Sequence, residues 1–188
     1  MRILILVIIG IFQLPLAGLL HAETGREAWL RYESLKSDAR SKYASLPASV
    51  VVLGNSIVLE RAQDELIHGI RGMLGRTLRK GKGSIEERAF VLGTFPALRK
   101  VAPSLRFPSV GEDGYWLSER KIGEFSCIMI ASPNDRGVLY GVFALLRKIA
   151  LEKAANLLDE VRQPNAPVRW VNQWDNLNGT IERGYGGP

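Results

Sequence analysis

The chain has 188 residues, of which 46% are hydrophobic and 23% are charged, which fits one globular domain of ordinary size and excludes an intrinsically disordered chain. The formal net charge is +6, which fits a polyanion partner or plain solubility. Since no basic face with stacking aromatics accompanies it, we expect no nucleic acid partner. A single cysteine excludes an internal disulfide, and one histidine beyond the N-terminal segment gives no basis for a zinc site.

The first 22 residues form a signal peptide by their pattern. Residues 3–20 are almost wholly apolar, Arg2 precedes them, and Ala22 ends the segment on a small residue. A glutamine and a proline interrupt the apolar run, which disfavours the alternative of an uncleaved membrane anchor. We therefore expect a secreted protein, extracellular or periplasmic, with no membrane contact after cleavage.

Apolar periodicity then predicts helices and strands interspersed along the chain. The predicted helices are Glu23–Tyr43, Ile57–Leu74, and one that starts at Ser132–Asp135 and runs through Ile149. The predicted strands are Ser49–Leu53, Ala89–Thr94, Gly114–Ser118 and Glu124–Ile130, the last two joined into a hairpin by Glu119–Gly123. Pro96, Pro103 and Pro108 predict irregular chain between the second and third strands. The fold class predicted is α/β (α+β), a mixed β-sheet with packed helices.

A domain boundary is predicted in the segment Gln163–Pro167. Its two prolines prevent a helix from continuing, and Val168–Asn172 reads as a new strand. The sequence therefore predicts one unit over residues 23–165 and the start of another over residues 166–188.

Several motifs that suggest chemistry have a plainer interpretation. The glycine-rich loop Gly75–Ser84 has five residues between its first two glycines, whereas a phosphate loop needs four. The acid pairs Glu86-Glu87 and Glu112-Asp113 are interpreted as solvated turns, because adjacent carboxylates point in different directions and a glycosidase needs two across one bond. Trp116 is interpreted as a residue of the core or of the sheet surface and not as a ligand platform, and Cys127 as a small buried residue and not as a reactive thiol.

The most distinctive segment lies at the end of the sequence. Trp174, Asp175 and Asn176 follow the predicted strand, at the place where α/β barrels build their sites. An indole offers a flat face to a sugar ring, and the two polar side chains can bond its hydroxyl groups. The alternative is that Trp170 and Trp174 fill a domain interface, and their chemistry alone favours neither. Asn178 begins a glycosylation sequon.

Four segments together resemble the alpha-glucuronidase family of glycoside hydrolases, the xylan-debranching enzymes. The segments are Ala28–Tyr32, Asp113–Tyr115, Asn134–Leu146 and Val168–Gly187, and the last is the most specific. The resemblance implies an N-terminal domain similar to the accessory domain of β-hexosaminidases, followed by a (β/α)8 catalytic barrel whose first strand is Val168–Asn172.

The resemblance also implies an activity. The family removes glucuronic acid or its 4-O-methyl ether from xylooligosaccharides, with inversion and without a cofactor. Trp174 matches a tryptophan that helps to shape the sugar pocket, and a homodimer is possible for the full-length enzyme. The family's catalytic carboxylates lie on later barrel strands, so none is assigned in this chain, and we expect the chain alone to be inactive.

Two other functions remain open at this stage. One is a free-standing carbohydrate-binding or interaction module built on residues 23–165. The other is binding to an anionic surface through the basic residues of the glycine-rich loop, which are Arg76, Arg79, Lys80 and Lys82. We further expect residues 168–188 to be poorly anchored, because their strand lacks barrel neighbours here.

Overall fold

A six-stranded sheet organises the part of the chain that the computed structural model describes, residues 31–81, 83–153, 159–166 and 168–170. Its strands are β1 (Ser49–Leu53), β2 (Arg79–Lys80), β3 (Phe90–Thr94), β4 (Tyr115–Ile122), β5 (Phe125–Ser132) and β6 (Asp159–Arg162). The helices are α1 (Ser37–Ser41), α2 (Ile57–Leu74), α3 (Phe95–Val101) and α4 (Asp135–Ala150).

The strand order is β2-β1-β3-β5-β4-β6. Strands β2, β1, β3 and β5 run parallel to one another, and β4 runs antiparallel to both of its neighbours, β5 and β6. The sheet is therefore mixed, and the predicted class of a mixed sheet with packed helices is confirmed.

One face of the sheet packs against the two long helices, α2 and α4. Alternate residues of the strands point to this face, and among them Phe90, Leu92 and Ile130 are fully buried. From α2 the buried residues include Leu66 and Ile70, which lie four positions apart on one side of the helix. This layer is the larger of the two hydrophobic clusters in the described residues.

The opposite face is covered by α3 and the chain that follows it. Val91, Met129 and Trp116 point to this side and are buried. They pack with Leu98 of α3 and with Phe107, whose ring meets the Trp116 ring edge to face at 6.2 Å between centroids. Both faces of the central strands are thus covered, as their continuous apolar sequences require.

Strand β1 and helix α2 have the bounds predicted from the sequence. The Ser56 hydroxyl accepts a hydrogen bond from the Leu59 N–H and caps the start of α2. At its end, Gly75 adopts the left-handed conformation with φ 69°. The third predicted helix is confirmed as α4, with Asn134 as its N-cap.

The predicted helix Glu23–Tyr43 is wrong over residues 31–36 and, among the described residues, is confirmed only over Ser37–Ser41. Residues 31–36 are not helical, and the helix there is the short α1. Tyr32 has φ 44°, and the Leu35 N–H donates to the Met73 carbonyl of α2. The apolar spacing that suggested a helix arises because this segment lies against α2 and buries its side chains there.

The prolines and the hairpin also depart from prediction in detail. Pro96 lies in the first turn of α3 instead of in irregular chain, and the Thr94 hydroxyl caps that helix. The hairpin is confirmed, but its strands are longer than predicted, so the connection shortens to Gly123-Glu124. Gly123 supplies the positive φ, 59°, that so tight a connection needs.

Strands β2 and β6, at the two edges of the sheet, were not predicted. The short β2 lies inside the basic loop, and β6 pairs with β4 through residues such as Val161, opposite Trp116. Of the predicted strand Val168–Asn172, residues 168–170 are described and are not in a strand. Among the described helices, none is long and apolar enough to cross a membrane.

Candidate functional site

The residues predicted to bind sugar fall outside the described part of the chain. Trp174, Asp175 and Asn176 all lie there, as does Asn178 of the sequon. Their assignments therefore stay predictions. The site that the described residues do build draws on three segments of the chain, and one of its members, Arg169, lies close before them in sequence.

Cys127 is buried, as predicted, and Trp116 takes the core position, one of the two predicted for it. Trp116 is 3% exposed, and its indole N–H donates to the Asp159 carboxylate at 2.7 Å, which leaves no free ring face for a sugar. Cys127 is fully buried, and burial raises the pKa of its thiol. A thiol in such surroundings stays protonated and unreactive.

The described cations of the basic loop, Arg76, Arg79 and Lys80, are engaged within the fold. Arg76 donates to the main-chain carbonyl groups of Tyr43 at 3.0 Å and Leu46 at 2.9 Å. Its guanidinium therefore closes the turn that follows α1. A cation bonded to carbonyl groups in this way is not available to bind a phosphate or sulfate.

The remaining described cations of this loop are paired with carboxylates. Arg79 contacts Glu87 at 2.6 Å, and Lys80 contacts Asp64 at 2.6 Å. Lys82 lies outside the described residues. These contacts weigh against the anionic-surface hypothesis, since the loop carries its own counter-charges.

A cleft of about 890 Å³ opens between α4, β6 and the segment that follows β6. Its wall includes two phenol rings, Tyr115 and Tyr140, and the cations Arg147 and Lys153. Burial raises the pKa of Tyr115, so its hydroxyl is neutral at ordinary pH. Aromatic faces beside cations would suit an acidic sugar or a polar segment of protein.

The described acids that line this cleft, Glu160 and Asp113, are both paired with cations. Glu160 contacts Lys148 at 2.5 Å and Arg162 at 3.2 Å. Although burial raises the pKa of Glu160, these two partners bring it below its ordinary value. A general acid must hold its proton near neutral pH and so needs a raised pKa. Glu160 has the opposite shift and is suited to a structural ion pair.

A second acid at the edge of the cleft, Asp113, sits at the centre of a cluster of polar contacts. Its Oδ1 accepts from the Arg136 Nε–H at 2.8 Å and from the Asn134 side-chain amide at 3.1 Å. Its Oδ2 accepts from the Arg169 guanidinium at 2.6 Å. The Arg169 guanidinium also lies over the Tyr140 ring, 5.1 Å from its centroid. We call these five residues the exit cluster.

Asp113 is the buried member of the cluster, 6% exposed. The hydrogen bond from Arg136 holds the pKa of Asp113 below its ordinary value, with help from Asn134 and from the charges of both arginines, although burial alone would raise it. The carboxylate is therefore ionised near neutral pH. A buried charge of this kind is stable because it is paired and hydrogen-bonded on both oxygens.

The interpretation of Glu112-Asp113 as a solvated turn is half wrong. Glu112 is exposed, but Asp113 is buried, with φ 59°. Aspartate tolerates this left-handed conformation better than most residues, and the conformation carries its carboxylate inward. The dipeptide Asp113-Gly114 was the available signal, since such pairs mark turns with positive φ.

The exit cluster joins three of the four segments on which the family resemblance rests. Asp113 comes from the first turn before β4, Asn134 and Arg136 from the start of α4, and Arg169 from the chain after β6. None of these was singled out as a functional residue from sequence. Among the described residues, no group of three His, Cys, Asp or Glu side chains is arranged to hold a metal ion.

Fold and site together define a mixed α/β domain, a helix-covered sheet in which the described acids of the cleft, Asp113 and Glu160, are paired with cations. The model of the glycosyl hydrolase family 67 N-terminus matches residues 28–145, and that of the family 67 middle domain matches residues 148–188. The chain belongs to glycosyl hydrolase family 67.

The relatives that the chain matches are named as alpha-glucuronidases. The chain is 41% identical over 184 residues to "Alpha-glucuronidase" of Hypocrea jecorina, covering 89% of this chain and 21% of that protein. It is 37% identical over 175 residues to "Probable alpha-glucuronidase A" of Aspergillus fumigatus, covering 91% and 20%. With "Alpha-glucuronidase A" of Aspergillus tubingensis the identity is 36% over 184 residues, covering 95% and 21%. The chain thus spans about a fifth of the length of these relatives.

The sheet extends across both matched ranges. Strand β6 belongs to the range of the middle-domain match, yet it pairs with β4 of the N-terminal range. Our predicted boundary after residue 165 stays a prediction.

Proposed function

We propose that the chain is the N-terminal part of an alpha-glucuronidase that hydrolyses the alpha-1,2 link between (4-O-methyl)glucuronic acid and xylose in xylooligosaccharides. Inversion at the sugar carbon and the absence of a cofactor are parts of the same proposal. The family match and the names of the relatives support it. The partners are glucuronoxylan-derived oligosaccharides, bound through a catalytic barrel.

Within that enzyme, we assign to residues 23–165 the role of an accessory domain that supports the catalytic part. The observation that carries this role is the state of the acids beside the cleft, Asp113 and Glu160, whose pKa values are both lowered. Neither can serve as the protonated acid that glycoside hydrolysis requires. The catalytic carboxylates would then come from the four-fifths of the relatives' length that this chain does not span.

The sugar contacts belong to the segment after the exit cluster. Trp174 is proposed to stack on the sugar, with Asp175 and Asn176 bonding its hydroxyl groups. Secretion after removal of residues 1–22, glycosylation at Asn178 and a homodimer of the whole enzyme are further parts of the proposal. The proposal also includes the likeness of the N-terminal domain to the β-hexosaminidase accessory domain and the start of the catalytic barrel at Val168.

A chimera tests this proposal. The matched N-terminal stretch of the Hypocrea jecorina alpha-glucuronidase is replaced by this chain, and glucuronic acid release from aldouronic acids is measured. We expect the chimera to be active, the Hypocrea protein without its N-terminal stretch to be inactive or insoluble, and this chain alone to show no turnover above a heat-killed control.

Further arms of the experiment address the finer claims. Proton NMR of the product should show the β-anomer of glucuronic acid first, because inversion of an alpha link gives β. Trp174→Ala in the chimera should raise KM more than it lowers kcat. A soluble, folded chimera without activity would reject the family function for this chain, and turnover by the chain alone would reject the accessory role.

A free-standing carbohydrate-binding module is the second candidate. The phenol rings and cations of the cleft favour it, since they match the chemistry of an acidic oligosaccharide. Titration calorimetry of the 188-residue chain with aldouronic acids decides it. Heat of saturable binding at millimolar ligand or below would support the module, and its absence would leave the accessory role.

A further inference from the structure

We infer that Asp113 is a positioning residue that fixes the path of the chain as it leaves the sheet, by holding Arg169 with one carboxylate oxygen while Arg136 holds the other. The two bonds differ in what they join. Arg136 belongs to α4, inside the folded body, whereas Arg169 lies 56 residues beyond Asp113, after the last strand. One buried carboxylate thus ties the exit segment, residues 163–166 and 168–170, to the body.

The exit segment depends on this tie because the side chains on either side of Arg169 are largely exposed and contribute little packing against the described body. Val168 is 64% exposed and Trp170 is 84% exposed. Arg169, between them, has a side chain only 34% exposed and contacts both Asp113 and the Tyr140 ring. Within residues 168–170, the side chain that bonds the described body is therefore the one in the middle.

The turn before β4 is shaped to receive the exit segment. A Cβ atom at Gly114 would lie 2.7 Å from the Arg162 carbonyl oxygen and 3.0 Å from Gln163 Cβ, so only glycine lets the two backbones approach this closely. One turn earlier, the Gly111 N–H donates to the Gln163 side-chain oxygen at 3.1 Å. The turn Gly111–Gly114 holds the start of the exit segment through Gln163 and its end through Arg169.

The contacts of residue 169 also require the planar guanidinium of an arginine. A guanidinium presents several donors in a plane and can bond a carboxylate while its face stacks on an aromatic ring. A lysine at position 169 would keep the charge but lose the planar stack on Tyr140. The proposal concerns this chain's own path and does not depend on the activity of the larger enzyme.

Protease cleavage after Trp170 in the 188-residue chain tests the inference. Chymotrypsin must bind several residues around Trp170 in extended form, so a fixed Arg169 slows the cut. Asp113→Asn leaves the cleaved sequence unchanged, and asparagine tolerates the same positive φ. We expect the initial cleavage rate at Trp170, followed by mass spectrometry, to rise at least about tenfold.

Matched variants separate positioning from general damage. Glu112→Gln removes the same charge from the exposed neighbour and should leave the rate within about twofold. Arg136→Gln frees the other carboxylate oxygen and should raise the rate less than threefold. Arg169→Gln changes the residue next to the cut, so its cleavage rate is divided by that of a short peptide with the same sequence, and the wild-type rate is divided by that of the wild-type peptide. After this correction, Arg169→Gln should raise the cleavage rate as much as Asp113→Asn does. Arg169→Lys, corrected in the same way, should raise it less than Arg169→Gln.

Two controls keep the test decisive. Thermal unfolding of each variant shows whether the body is intact, and if Asp113→Asn does not fold, Arg169→Gln with its peptide control still gives the answer. The carbon-13 carboxyl resonance of Asp113 supplies a second readout, since Arg169→Gln should raise its titration midpoint. Cleavage of Arg169→Gln at the wild-type rate, or an equal rise in Arg136→Gln, would overturn the inference.

Discussion

The sheet core and the exit cluster hold this chain together by opposite means. In the core, residues such as Phe90 and Leu66 are fully buried and contact other apolar side chains, with the helix face and the strand faces each following a local period. In the exit cluster, Asp113 bonds partners 21 to 56 residues away. Apolar burial stabilises in proportion to area and tolerates exchange, whereas a buried carboxylate needs each of its partners in place.

A large-to-small substitution in the core should cause the largest loss of stability. Phe90→Ala removes a fully buried ring between α2, α4 and the sheet, and we expect the free energy of unfolding to fall by about 3–5 kcal/mol. Urea denaturation followed by circular dichroism measures it. Leu151→Ala is the matched apolar control, since Leu151 is 54% exposed, and it should change stability by less than about 0.5 kcal/mol. Equal effects of the two substitutions would contradict the assignment of this layer as the core.

The comparison of the two helix caps gives an intermediate effect. Ser56 caps α2 and nothing more, so Ser56→Ala should cost about 1 kcal/mol. Asn134 caps α4 through the Gly137 N–H and also donates to Asp113. We expect Asn134→Ala to cost about 2–3 kcal/mol, because it removes a cap and a charge-assisted hydrogen bond together.

Urea denaturation of both alanine variants measures this difference. The double variant Asn134→Ala with Asp113→Asn supplies the check. If the two residues act as one unit, the double variant should lose less than the sum of the single losses. Strict additivity would show that Asn134 acts as a cap alone and that the exit cluster ends at the two arginines.

Sequence reasoning succeeded where structure is set by neighbours along the chain. The bounds of β1 and α2 followed from a β-branched run and from apolar residues at helical spacing. It failed where a segment's structure depends on residues far away in the chain. Strand β6 is rich in charge and shows no apolar run, and it extends because β4 offers a free edge.

The candidate site shows the same limit. No local pattern relates Asp113 to Arg169, since a carboxylate in a turn is normally solvated and its burial depends on two cations far away in the chain. The apolar spacing of residues 31–35 misled in a related way, because an irregular segment lying on α2 buries side chains as a helix would. The predicted sugar contacts at Trp174–Asn176 rest on their side-chain chemistry, on the strand predicted before them and, for Trp174, on the resemblance, and they lie outside the residues that the structure describes.

Low pH should weaken the ion pairs of the exit cluster, whereas the apolar contacts of the core carry no group that titrates at low pH. The resulting change in stability is the smallest effect that we expect. The pKa of Asp113 is held low in the folded chain, chiefly by the bond from Arg136, with Asn134 and Arg169 also facing it. In the unfolded chain it returns to about 3.9. A lowered pKa stabilises the fold fully above the unfolded value, and that stabilisation is lost as the pH falls through the folded value.

The difference in unfolding temperature between the wild-type chain and Asp113→Asn isolates this contribution. It should be constant above about pH 5 and shrink steadily as the pH falls below about 4, because the protonated aspartic acid then resembles the asparagine. Subtraction removes the parallel loss from Asp159 and Glu160, whose pKa values are also lowered by their partners. Glu112→Gln, which leaves the buried carboxylate in place, should show no such convergence with the wild type. A difference that widens in acid would mean that Asp113 is stabilised in its protonated, neutral form, which would contradict a negative charge at the centre of the exit cluster.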